Sequence, residues 1–326
     1  MTTYKGINGF AVQSVATDPS PLDEGQVWYN NATYAFKLAS VTTAGTWATG
    51  GTMGTARRNL AGAGTQTAGL AFGGYVTVDL ASTEEYNGTS WTSGGNLATA
   101  RIALGGAGTQ TAGLACGGFA GAPVVAATEE YDGTSWTSGG NLATARGQLA
   151  ACGTQTAALG FAGYKGTPPP VFTGATEEYD GTSWTSGGTM GTARRNLAGA
   201  GTQTAGLAFG GNPPAPVTGA TEEYDGTSWT SGGTMGTART ALAGCGIQTA
   251  ALAIGGETTV VVANTEAYNG TSWTADTSLS TARRYLAGAG TQTAALAFGG
   301  LTTVAVANTE EYTGAGAPVT KTITTS

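Results

Sequence analysis

Two slots of opposite charge recur along the chain. Arg57, Arg101, Arg146, Arg194, Arg239 and Arg283 fill one, and Glu84, Glu129, Glu177, Glu222, Glu266 and Glu310 fill the other. An arginine's planar fork can grip a carboxylate through two hydrogen bonds, so six such pairs would stitch the repeats together. Left free around a channel mouth, the same arginines would bind an acidic ligand. Adjacent carboxylates such as Glu84-Glu85 are also the raw material of a glycosidase. Neighbours in a strand point to opposite faces, however, and six equivalent copies do not describe one active site. The chain has no histidine, which removes Ser-His-Asp and Cys-His nucleophile systems and the usual zinc sites. Cys116, Cys152 and Cys245 each replace a small or apolar residue of a recurring segment, so they read as reduced and structural. The expectation is a protein that is not an enzyme and holds no cofactor or metal.

Composition narrows the partners. With 13 basic and 20 acidic residues, the formal charge is −7, against the basic face that nucleic acid requires. No run of 18 apolar residues is present to span a membrane, and the opening MTTYKGINGF lacks the apolar core of a secretory signal. The glycine content, 56 residues, would suit a disordered chain, but regular tryptophans and apolar–polar alternation argue for a fold.

The elements that must position these residues are repeats. Trp47, Trp91, Trp136, Trp184, Trp229 and Trp273 fall 44 to 48 residues apart, and TEEYDGTSWTSGG occurs three times unchanged. In one unit, Leu60 to Gly64 alternates as a thin first strand. Thr65-Gln66-Thr67 turns, and Leu70-Ala71-Phe72 is a second strand ended by Gly73-Gly74. Thr83-Glu84-Glu85-Tyr86 is a third, and Asn87-Gly88 signals a tight primed turn before Trp91 opens a fourth. Four short strands per 45 or so residues make one propeller blade. Gly and Ala in the first strand suit six strands crowding an axis. Gln66, Gln110, Gln155, Gln203, Gln248 and Gln292 recur in the first turn, where they would satisfy turn backbone groups or serve a docking surface.

The di-glycine, tyrosine and tryptophan of Gly73-Gly74, Tyr86 and Trp91 resemble the kelch family. So do Gly117-Gly118, Tyr131 and Trp136, and Gly210-Gly211, Tyr224 and Trp229; the third copy departs with Ala162-Gly163. The resemblance covers about residues 45–312 and implies an all-β, six-bladed kelch-like propeller. The copper oxidases that share kelch blades hold their metal with histidines, which this chain lacks. Its last copy ends at Tyr312 without a tryptophan, and Trp47 has no TEEY before it. The N-terminal strand should therefore complete the sixth blade and close the ring, removing free edges. The expected divisions are an N-terminal module at 1–43, the propeller at 44–316 and a C-terminal tail at 317–326.

Residues 1–43 do not repeat. Gln26 to Tyr29 and Tyr34 to Leu38 read as a hairpin joined through Asn30-Asn31. The stretch DPSPLDEGQVWYN with the opening TYKGINGFAVQSV resembles the start of tailed-phage fibre and appendage proteins, in which a short N-terminal module attaches to the particle. Phe10, Val27, Trp28, Tyr29, Tyr34 and Phe36 would be its contact residues. Variation concentrates between the second and third strands, where recognition usually resides, with Tyr75, Phe119, Tyr164, Lys165 and Phe172 as exposed anchors beside Pro168, Pro169, Pro170, Pro213 and Pro214. These loops are also free to drift if nothing constrains them. The expected function is a non-enzymatic virion protein (tail fibre, appendage or decoration), assembled in the host cytoplasm. It would bind other virion proteins or itself, and a host-surface glycan or protein. The alternative is a cellular kelch-like interaction module or glycan-binding adhesin.

Overall fold

A computed structural model describes residues 12–19, 26–41, 44–166, 171–214, 216–315 and 318–322. It separates into two compact units, Trp47–Tyr312 on one hand and Met1–Thr46 with Thr313–Ser326 on the other. Every regular element among the described residues is a strand.

The larger unit is a six-bladed β-propeller of four-stranded antiparallel sheets. The first blade runs Ala61–Gly64, Gly69–Phe72, Thr83–Tyr86 and Trp91–Ser93 in spatial order. The sixth takes Ala287–Gly290, Ala294–Phe298 and Thr309–Thr313 from the end of the chain and its outermost strand, Thr46–Thr49, from the beginning. Trp47 there behaves as its five counterparts do. Its ring lies 5.0 Å from that of Tyr312, and its indole donates to Thr265 Oγ1 at 3.2 Å.

Each innermost strand touches the next, the sixth touches the first, and glycine makes the approach possible. A Cβ at Gly62 would sit 2.5 Å from the Phe298 ring and 3.1 Å from Ala287 Cβ. Where these strands begin, one residue per blade adopts a left-handed conformation: Asn59, Ala103, Gln148, Asn196, Ala241 and Tyr285. Their amides form a circuit around the axis. Asn59 donates to the carbonyl of Tyr285, Tyr285 to Ala241, Ala241 to Asn196, Asn196 to Gln148, Gln148 to Ala103 and Ala103 to Asn59, at 2.7–3.0 Å. Six strained residues at 1–2 kcal/mol or so each persist because each completes its neighbour's hydrogen bond.

The di-glycine is explained in the same terms. Both residues are left-handed, with φ of 65° and 105° at Gly73 and Gly74, and the second donates to the carbonyl of the next blade's arginine (Gly74 to Arg101, 2.9 Å). In the third blade Ala162 holds φ of 60° where the other blades carry glycine. Replacing Ala162 with glycine is therefore expected to raise stability by about 1 kcal/mol. A urea-unfolding midpoint unchanged or lowered by A162G would contradict that assignment of strain.

Two readings of the repeat need correction. The turns before Trp91, Trp136, Trp184, Trp229 and Trp273 are Asx turns, not primed ones: only their glycines have positive φ, and Asp132 Oδ1, for example, accepts from the amides of Thr134 (2.8 Å) and Ser135 (2.7 Å). The stretch taken as a C-terminal tail contains a strand. Pro318–Thr322 pairs antiparallel with Ala35–Val41, which pairs in turn with Val27–Asn30, and Gln13–Val15 adds a parallel edge. The expected hairpin is thus the centre of a four-stranded sheet. Trp28 is fully buried there and donates its indole N–H to Asp18 Oδ1 at 3.0 Å; Asn30 Nδ2 donates to the same oxygen at 2.7 Å. Both bonds hold the Asp18 carboxyl below its ordinary value.

Candidate functional site

The charged slots meet as six buried ion pairs. Arg101 Nη2 lies 2.7 Å from Glu129 Oε1, and the other five pairs span 2.9 to 3.2 Å, with every arginine fully buried. Each arginine also donates to backbone carbonyls, Arg101 Nη1 to Gly117 at 2.9 Å and Ala127 at 2.7 Å. Glu129 Oε2 accepts the amide of Ala98 at 2.6 Å. Burial pulls Arg57 and Arg239 down to about 10, opposed by the adjoining glutamates, so both guanidinium groups stay charged at neutral pH. The pairs lie within a blade, anchoring the incoming segment to the third strand, rather than between blades. The arginine arrives just before the first strand and its glutamate stands two strands along in the same sheet.

Other repeat positions join the blades. Tyr131 donates its hydroxyl to Glu85 of the preceding blade at 2.5 Å, and Tyr179, Tyr224, Tyr268 and Tyr86 do the same to Glu130, Glu178, Glu223 and Glu311. The fifth blade has Ala267 in the acceptor slot, and Asp276 from the adjacent strand takes the hydroxyl of Tyr312 instead. Burial, then the carboxylate, raises Tyr131 to about 12, so the phenol remains a neutral donor. Trp136 donates to Thr83 Oγ1 of the preceding blade at 2.9 Å, and its ring packs 4.9 Å from Phe72. The turn glutamines do not serve their own turns. Gln110 Nε2 donates to the carbonyls of Gly69 (3.0 Å) and Tyr86 (2.7 Å) in the preceding blade. Cys116, Cys152 and Cys245 are buried, and desolvation lifts each thiol to about 12.

What the repeat does not commit lies around the axial mouth. The six left-handed residues and the leucines after them line a cavity of about 90 Å³. The first residue of each variable loop pairs beside this ring: Tyr75 with Arg58, Phe119 with Ile102, Tyr164 with Gly147, Asn212 with Arg195, Glu257 with Thr240 and Leu301 with Arg284. The anchors chosen from sequence are half-buried rather than exposed. Tyr75 lies under the Arg58 guanidinium at 5.1 Å and Phe172 under Arg195 at 4.9 Å, while Phe119 and Tyr164 stack at 5.9 Å. Lys165 and Pro213 are also half-buried, and Pro214 is exposed. Pro168, Pro169 and Pro170 lie outside the described residues, as does Phe10. Among the described residues, the exposed large apolar groups of these loops are valines, Val76, Val78, Val171, Val260 and Val304.

A second arginine set escaped the sequence reading. Arg58, Arg195 and Arg284 directly follow the buried arginines, as doubled Arg-Arg in three of the six copies; that break in the repeat was the available signal. No protein-family model matches the chain, and no curated protein matches it either.

Of the N-terminal residues singled out, Val27, Tyr29 and Phe36 are half-buried, with Tyr29 and Phe36 rings 5.1 Å apart, and Tyr34 is 81% exposed.

Proposed function

We propose that this chain is a non-enzymatic structural and recognition protein of a tailed-phage particle, with kelch-type repeats as a rigid scaffold. The observation that carries the reading is the division of labour among its side chains. Arginine and glutamate of the repeat are spent on tying each blade internally, and tyrosine, its glutamate acceptor, glutamine and tryptophan on joining it to the next, while the repeat breaks down around the axial mouth, where the variable loops begin. Rigid scaffolds with variable loops are built for binding. The virion assignment rests on the resemblance of the opening residues. The N-terminal unit supports an attachment role through exposed Tyr34 beside half-buried Val27, Tyr29 and Phe36, since aromatic residues are favoured at interface cores.

Mass spectrometry of purified particles tests the assignment. The chain is expected there in fixed stoichiometry, and a chain beginning at Val41 is expected to stay soluble and fail to join particles. Absence from particles, or unimpaired assembly of the shortened chain, would overturn the reading.

A further inference from the structure

The axial mouth carries more positive charge than the fold uses. Arg195 Nη1 donates to Gln148 Oε1 at 3.2 Å, the Arg284 guanidinium stands 5.3 Å from the Tyr285 ring, and both Gln148 and Tyr285 line the mouth cavity. The Nε atoms of Arg195 and Arg284 are buried without a hydrogen-bond partner. Arg58 stands nearby over Tyr75. Among the described residues, Glu257, paired with Arg284, is the one carboxylate that forms an ion pair with any of these three. This local excess stands against a formal charge of −7 for the whole chain, so it is not a by-product of composition.

The neutral lining adds a second chemistry. Asn59, Gln148, Asn196 and Tyr285 bring amide and phenol groups to the mouth, while the backbone amides of the ring are spent on the circuit. Side-chain amides and hydroxyls match the alternating donors and acceptors of sugar hydroxyls. Aromatic faces and the leucine floor take apolar C–H surface, and a guanidinium fork takes two oxygens of one anionic group. The geometry points to an anionic sugar, the acidic residue of a polysaccharide, as the ligand of this mouth. The assignment deepens the recognition reading above and rests on it.

The test is calorimetric titration of the full-length protein at low salt with polygalacturonate (carboxylate), dextran sulfate (sulfate) and neutral dextran. At least one acidic polymer is expected to bind and dextran not to, and the polymer that binds identifies the anionic group. Arg195→Gln is expected to weaken binding by about tenfold or more, with the melting midpoint unchanged. Arg195→Lys, which keeps the charge but loses the fork, should fall between the two. Failure of both acidic polymers to bind, equal binding of dextran, or affinity unaffected by Arg195→Gln would overturn the assignment. Because the assay contains no particle, its failure leaves the virion assignment standing, and absence of the chain from particles leaves the sugar assignment standing.

Discussion

Replacing Arg101 with alanine is expected to cost about 3–5 kcal/mol of unfolding free energy, the penalty for breaking a buried pair by removing one partner. Glu129 is only 4% exposed, so its charge has no water to turn to. The carbonyls of Gly117 and Ala127 lose the arginine's bonds in the same step, Ala127 keeping the amide of Gly117. The same truncation at half-buried Arg195, which forms no ion pair among the described residues, should cost roughly 1 kcal/mol or less. Arg101→Met combined with Glu129→Leu should recover much of the loss, because a hydrophobic pair leaves no stranded charge. Urea denaturation of the three variants measures this directly. An Arg101→Ala loss below about 1 kcal/mol would mean that the slot is wet and that the pairs are not structural.

Deleting residues 1–50 is expected to destabilise the propeller by about 3 kcal/mol or more, whereas deleting residues 1–40 leaves it cooperatively folded. The longer deletion removes the outermost strand of the sixth blade. With it go the Trp47–Tyr312 ring contact and the indole bonds to Thr265 Oγ1 and the Thr277 carbonyl. The amide of Gly50, which donates to Thr309 at 2.9 Å, is lost as well. Loss of a packed tryptophan alone accounts for a cost of this size, and an uncovered Thr309–Thr313 edge invites association. Thermal unfolding with light scattering checks both deletions. Equal stability of the two would show that the strand is dispensable.

The fold was legible because its signals repeat. Six coincident tryptophans, glycine-alanine strands and complementary defects at Trp47 and Tyr312 set blade number and strand order. The partners of each slot were less legible, because strand spacing fixes which face a side chain occupies but not which blade it reaches. That is why the sequence left Arg101 a carboxylate of its own or of an adjacent blade, of which it takes the one in its own, and why Gln110 serves a neighbour's carbonyls rather than its own turn. The third blade kept its left-handed turn despite Ala162, since the surrounding hydrogen bonds over-determine it. The strand at Pro318–Thr322 carries no apolar alternation that would reveal it, and only its pairing with Ala35–Val41 does so. At the mouth, Arg58, Arg195 and Arg284 were hidden beside residues already assigned a role. The left-handed ring at Asn59, Ala103, Gln148, Asn196, Ala241 and Tyr285 has no shared residue type that would mark it.

The central claim is that six repeats form one closed ring, so that the mouth is a single surface. Amide hydrogen exchange at Asn59, Ala103, Gln148, Asn196, Ala241 and Tyr285 tests it most directly, because their bonds run in one circuit and only the Asn59-to-Tyr285 bond spans the two ends of the repeat array. All six amides are expected to exchange slowly and through the same global opening. Rapid exchange at Asn59, with the other five protected, would show that the first and sixth blades do not meet.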